Sequence, residues 1–335
     1  MTPCFHPRLV NDPFQDPALF IDFLYQGRAL LFDIGDITAL STRYIHKITD
    51  VFVSHTHMDH FIGMDHMLRL FLGRDKRLTI YGPPRIHANV AGKLAAYTWN
   101  LVENYENAFE ILVVEIHPDH LEKAFFRCHE TFKQTHISEK APFNGILMDE
   151  EDFIIRALLL DHHTPCLAFS LEERFHINIK KDRLDALGLP TGPWLKELKT
   201  ALRQERSDDH VFFIPGHRTE RGPKEERSLG WIKEKGLFSI SRGQKIVYVV
   251  DIGYSEENLS KLIPFAKGAD YLFCEAAFLE KDRHIAEKKY HLTAHQAGVI
   301  GKTAQVRKLI PFHFSPRYQD QSHLLYQESE QAFSG

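Results

Sequence analysis

Short apolar runs, each stopped by Gly, Pro or a carboxylate, alternate along this chain with stretches whose apolar positions recur at helical spacing. After an irregular start, the runs at residues 19–24 and 29–33, parted by Gln26-Gly27-Arg28, predict a hairpin. Val51-Phe52-Val53 predicts a buried strand, and Phe61, Met64, Leu68 and Phe71 set one apolar stripe on a helix directly after it. Further strands are predicted at residues 78–81, 111–116, 124–128, 153–160 and 166–171, with a helix from the Gly82-Pro83-Pro84 stop to about residue 100. Charged residues dominate the stretch from about 173 to 244, read as a partly helical surface insertion. It carries a helix at 194–203 and punctuation at Pro215-Gly216-His217 and Gly222-Pro223. The regular pattern then returns with strands at 245–250, 270–275 and 309–312. Between them lie a Ser255-capped helix bearing Leu259, Leu262 and Ile263, and a helix at 294–308 with Ala297, Ile300 and Ala304 inward. Hairpins mixed among helices predict an α/β protein of stacked sheets with outer helices, a single domain over residues 1–335 with the insertion at about 173–244.

The chemistry concentrates where Val51-Phe52-Val53 meets the helix, at Ser54-His55-Thr56-His57-Met58-Asp59-His60. Three imidazoles and a carboxylate on one tight connection suit a borderline cation such as zinc. His55 and His57 alternate onto one side of an extended loop, while Asp59 and His60 reach a second position, which is a two-metal layout. Four later strands end on side chains of the same kind: His162, with His163 beside it, then Asp251, Glu275 and His313. Loops beyond strand ends converge on the ligand crevice in α/β architectures, so these groups are expected to meet in one dinuclear site. The other histidines, including His66, His87, His117, His120, His129, His176, His217 and His284, match no part of it and are read as ordinary surface or core residues.

Composition changes this picture little. With 335 residues, 43% of them hydrophobic, the chain is long enough to bury a large core. A net charge of −4 offers no global basic field for sequence-independent nucleic-acid binding. Cys4, Cys128, Cys166 and Cys274 form no Cys-x-x-Cys pair, which argues against a thiolate zinc site and a disulfide framework. No apolar run approaches the ~20 residues of a membrane span, and residues 1–16 lack the pattern of an export signal. A cytoplasmic protein is the expectation.

The His-x-His-x-Asp-His loop, the histidine at a later strand end, the aspartate after a hydrophobic strand and the terminal histidine together resemble the metallo-β-lactamase superfamily. Within it, three pieces are most similar to ribonuclease Z, the endonuclease family that removes 3′ trailers from precursor tRNA. They are Asp161-His162-His163-Thr164-Pro165-Cys166-Leu167-Ala168-Phe169, the run from Asp251 through Glu275-Ala276-Ala277-Phe278 to His291-Leu292-Thr293-Ala294-His295, and Phe312-His313-Phe314-Ser315-Pro316. The resemblance implies the αββα sandwich, two packed mixed sheets with helices outside. It implies one zinc on His55, His57 and His162, a second on Asp59, His60 and His313, and Asp251 bridging, with His162 favoured over His163 by its spacing to Pro165 and Phe169. The two ions would hold a bridging water of lowered pKa, Asp59 would orient it and take its proton, and His291, steadied by Glu275, would protonate the leaving 3′-oxygen. An RNA substrate and a homodimer follow from the same resemblance; manganese or iron would also fit these ligands. The same site chemistry serves two alternatives, a general phosphodiesterase on smaller esters and a hydrolase of carboxylic esters, lactones or thioesters.

Overall fold

A computed structural model describes residues 5–24, 27–215 and 224–335. Cys4, Gln26, Gly216, His217, Gly222 and Pro223, which figure in the sequence reading, lie outside the described residues.

Residues 5–142 build an eight-stranded sheet whose strand order is the chain order. Strands β1 (Phe5–Leu9), β2 (Leu19–Phe23) and β3 (Ala29–Phe32) pair antiparallel. The chain then steps across in parallel through α1 (Thr42–Lys47) to β4 (Ile48–Phe52), through α2 (Met58–Phe61) and α3 (Met64–Phe71) to β5 (Lys76–Gly82), and through α4 (Ile86–Ala95) to β6 (Phe109–Ile116). Strands β7 (His120–Arg127) and β8 (Gln134–Pro142) close the sheet antiparallel. Parallel pairs need a crossover, and the apolar stripe Phe61, Met64, Leu68 and Phe71 is what packs this one on the sheet. The first strand corrects the expected irregular start, and α4 ends at Ala95, short of the predicted residue 100.

Next come β9 (Ile146–Asp149), β10 (Phe153–Asp161) and β11 (Pro165–Glu173). Met148–Ile154 and Glu172–Gln244 make up a second compact unit with its own core, in which Trp194, Leu198, Phe212, Leu229 and Ile232 are buried together. Its elements are β12 (Phe175–Ile179), α5 (Lys181–Ala186), α6 (Trp194–Arg203), β13 (Val211–Pro215), β14 (Lys224–Ser228), α7 (Leu229–Glu234) and β15 (Phe238–Arg242). The segment is thus partly helical, as its charge pattern suggested, and also holds two antiparallel strand pairs, β12 with β15 and β13 with β14.

The larger unit resumes with β16 (Lys245–Val249), α8 (Glu256–Ala266), β17 (Tyr271–Glu275), α9 (Arg283–Lys289), α10 (Ala294–Thr303), β18 (Leu309–Phe312) and α11 (Ser322–Ser334). The second sheet runs β18-β17-β16-β11-β10-β9, and β16, β17 and β18 are parallel. Ser255 caps α8 by accepting from the Asn258 N–H, and Thr293 caps α10 reciprocally with Gln296.

The two sheets pack face to face through aromatic rings. Phe32 of β3 stacks on Phe169 of β11 at 5.6 Å and on Tyr248 of β16 at 5.9 Å, and Phe52 of β4 meets Phe169 at 5.6 Å. Outside the first sheet, α3 and α4 cover a core that includes Met67, Phe71, Ile86 and Val90; outside the second, α8 and α10 cover Leu262, Ala297 and Ile300. Central strands of both sheets therefore bury both faces, which is why β3 and β16 read as continuous apolar runs while β7 and β10 alternate. Cys128, Cys166 and Cys274 are buried and unpaired. Among the described residues no helix is long and apolar enough to cross a membrane. Truncating Phe169, which is fully buried between the sheets, is expected to cost about 3–5 kcal/mol. Phe169→Ala should lower the urea unfolding midpoint well below that of Phe169→Leu.

Candidate metal centre

The candidate side chains leave the sheets at one end, each just past a strand: His55 and His57 after β4, His162 after β10, Asp251 after β16, Glu275 at the end of β17 and His313 after β18. Asp33, Asp251 and His313 turn the chain there with φ of 55°, 48° and 57°, a region L-residues enter at a cost of roughly 1–2 kcal/mol. Asp59 and His60 sit on α2, and backbone contacts hold that turn in place. Ile34 N–H donates to the His60 carbonyl at 3.0 Å, and Gly63 N–H donates to the Ile34 carbonyl at 2.9 Å. A Cβ on Gly63 would fall 2.1 Å from the Gly35 carbonyl oxygen, so this approach requires glycine.

Around Asp251 the donors converge. Asp251 Oδ2 lies 3.5 Å from His55 Nε2, 3.3 Å from His60 Nε2 and 3.6 Å from His162 Nε2, and Oδ1 lies 3.0 Å from His313 Nδ1. Asp59 Oδ2 is 3.4 Å from His60 Nε2 and 3.3 Å from His313 Nε2. The His57 ring meets those of His55 and His162 at 4.3 and 5.4 Å. Three overlapping sets of donors result: His55, His57, His162 and Asp251; Asp59, His60 and His313; and Asp251, Glu275, His291 and His313. His162 is the member that joins, while His163 points to solvent and stacks on Tyr290 at 4.7 Å.

These residues fit a metal. Tetrahedral coordination with bonds of about 2.0–2.1 Å puts neighbouring donors roughly 3.3 Å apart, close to the separations here. Among the described residues, His55 Nε2, His60 Nε2, His313 Nδ1 and Asp251 Oδ1 are buried without a hydrogen-bond partner. Each such atom costs about 1–3 kcal/mol unless something satisfies it, and cations held among these donors would satisfy them. The opposite ring nitrogens are already engaged. His60 Nδ1 faces Asp33 Oδ2 at 2.8 Å, His162 Nδ1 faces the Tyr290 carbonyl oxygen at 2.7 Å, and His55 Nδ1 lies 3.1 Å from Ser54 Oγ. These bonds fix each ring's orientation.

Charge follows the same logic. Burial, reinforced by neighbouring His60, pushes the His55 imidazole down to about 2, so it keeps its lone pair. Burial would raise Asp59 and Asp251, but contacts with His313 and His60 outweigh it and hold both carboxyls below their ordinary range. Burial opposes a proton on His60, yet Asp251 and Asp33 on either side hold it well above the imidazole range. Two carboxylates thus demand positive charge between them.

His291 stands at the edge of this group. Its Nδ1 lies 2.8 Å from Glu275 Oε2 and 3.7 Å from Asp251 Oδ1, and Glu275 Oε1 accepts the Ile252 N–H at 2.6 Å. Burial disfavours the imidazolium, but the Glu275 carboxylate prevails and raises His291 to about 9. The sequence reading gave Asp33 no role beyond ending its strand. It is fully buried, holds His60, accepts from Ser54 N–H at 2.6 Å and accepts from the Tyr248 hydroxyl at 2.8 Å. Its one sequence signal was its place: a carboxylate at a strand exit, like Asp251 and Glu275.

A ribonuclease Z from Halalkalibacterium halodurans is 30% identical over 325 residues, 95% of this chain and 88% of the relative. One from Deinococcus radiodurans is 29% identical over 318 residues, 93% of this chain and 90% of the relative. Among solved structures, the metallo-β-lactamase fold protein YhfI of Bacillus subtilis matches with a TM-score of 0.53 at 16% identity, covering 96% of this chain and 87% of its own. The short form of human tRNase Z matches with a TM-score of 0.51 at 17% identity, covering 93% of each chain. The fold is therefore the metallo-β-lactamase αββα sandwich. No family model matches the chain.

Asp33→Asn keeps the shape but removes the charge that orients His60, and is expected to weaken Zn²⁺ binding about 10–100-fold. Calorimetric titration with Zn²⁺ checks this, with circular dichroism showing that the fold persists.

Proposed function

Since the chain belongs to the ribonuclease Z family, we propose that it is a metal-dependent endoribonuclease that removes the 3′ trailer of precursor tRNA. One observation carries the reading: in a chain of this family, imidazoles and carboxylates from separate strand exits meet around the buried Asp251. We assign His55, His57 and His162 to one zinc ion, Asp59, His60 and His313 to a second, and Asp251 to both. Such ions, when bound, lower the pKa of water and offset the charge of the phosphate. Asp59, whose side chain is 42% exposed at the rim, orients the attacking water and accepts its proton on a carboxylate oxygen. As the bond from phosphorus to the 3′-oxygen breaks, His291 gives that oxygen the proton on its Nε2. Glu275 is the positioning residue, turning His291 so that Nδ1 faces inward and Nε2 faces the substrate. The proposal retains the homodimer and the cytoplasmic location.

Zinc-loaded protein incubated with a 3′-extended precursor tRNA should yield a single cut just after the discriminator base, absent in Asp59→Ala. No cut, with turnover of a small phosphodiester retained, would move the activity to the general phosphodiesterase. His291→Ala is expected to lower kcat on precursor tRNA about 10²–10⁴-fold. Bis(4-nitrophenyl) phosphate, whose leaving group needs no proton, should lose far less. Equal losses on both substrates would assign His291 a structural role.

A further inference from the structure

Five more metal-competent side chains gather elsewhere in the larger unit, at the turn between β6 and β7. The turn is tight, with His117 N–H donating to the His120 carbonyl at 2.9 Å, and Glu115 pairs with Glu122 across the ladder. Side chains two residues apart share a face of a strand, so Glu115 and His117 on one strand stand opposite Glu122 and His120 on the other. The two imidazoles stack at 4.3 Å, only 3° from parallel. His117 Nε2 lies 3.1 Å from Glu115 Oε1, and His120 Nε2 lies 3.2 Å from Glu122 Oε1. From α4, His87 sends its backbone N–H to Glu115 Oε2 at 3.2 Å and brings Nδ1 within 3.5 Å of the same oxygen, while its Nε2 faces the Val113 carbonyl at 3.2 Å.

We propose that His117, His120, Glu115 and Glu122, with His87 behind Glu115, form a second metal site that takes one divalent ion of the zinc class. The donors fall into two sets sharing Glu122, each within 4.8 Å. Their spacing again approaches the roughly 3.3 Å edge of a tetrahedron. His117 Nε2 is buried without a hydrogen bond although Glu115 Oε1 lies beside it; stacked parallel rings hold their lone pairs in separate planes, so one of the two imidazoles turns out of the stack to share the ion. The cluster already attracts positive charge. Lys140, whose side chain is 62% exposed, brings Nζ within 2.6 Å of Glu122 Oε1 and 3.2 Å of His120 Nε2, while Asp119 holds His120 Nδ1 at 2.7 Å. A flexible ammonium is a competitor that a dication displaces. The site shares no residue with the centre around Asp251. It does share a support: Asn89, on α4 two residues after His87, donates to Thr56 Oγ1 at 2.5 Å, between His55 and His57.

The test counts zinc in the whole protein. At one free Zn²⁺ concentration, the His117→Ala/His120→Ala variant should hold one equivalent less than wild type by atomic emission while still cleaving its substrate. Lys140→Ala should bind that equivalent several-fold more tightly. Should the double variant fail to fold, His120→Gln alone, at a partly exposed position, is expected to weaken the same equivalent. Equal zinc content in wild type and the folded histidine variants, with no gain from Lys140→Ala, would overturn the site and leave the cluster as ion pairs only.

Discussion

A carboxylate removed from water must be matched by positive charge, and Asp251 is 2% exposed where the strand exits meet. The rest of the site answers that demand. Four of its closest neighbours are imidazoles from three chain segments, His55 and His60 from the connection after β4, His162 from the exit of β10 and His313 from the exit of β18. Removing the positive charge from this group would leave a buried carboxylate uncompensated, which is far costlier than removing a surface pair.

The sandwich makes the arrangement possible. The parallel strands β3, β4, β16, β17 and β18 all deliver their C-terminal ends to the same groups, so short exits suffice. Between the sheets, Tyr248 of β16 donates to Asp33 beyond β3, and Asp33 holds His60. The aromatic layer of Phe32, Phe52, Phe169 and Tyr248 therefore seals the interior and also sets the distance across which this hydrogen-bonded chain reaches.

Much of this was legible before any coordinates. The loop from His55 to His60 advertises itself because its donors lie within a few residues of one another, and the strand exits at His162, Asp251, Glu275 and His313 follow from apolar runs that end in a ligand. Asp33 was passed over because an aspartate after a strand is also an ordinary stop, and only the fold brings His60 and Tyr248 to it. His87, His117 and His120 looked isolated because their partners, Glu115 and Glu122, become neighbours through strand pairing. Helix α11 was missed for a related reason. Few apolar residues mark it, and its close seat on α10 depends on Gly298, where a Cβ would meet the Ser329 carbonyl oxygen at 2.4 Å. The helix predicted to run to residue 308 stops at Thr303, leaving room for the turn that starts β18.

The left-handed turns at Asp33, Asp251 and His313 carry a further meaning. Each holds a side chain the site uses in a backbone conformation that glycine adopts freely, so the chain gives up of order 1 kcal/mol at each. Glycine would relieve that strain, but at Asp33 it would also leave the Ser54 N–H and the Tyr248 hydroxyl without their buried acceptor, a larger loss than the strain it removes. At that turn scaffold and site are one commitment, and a change that eased the backbone would loosen the fold together with the centre.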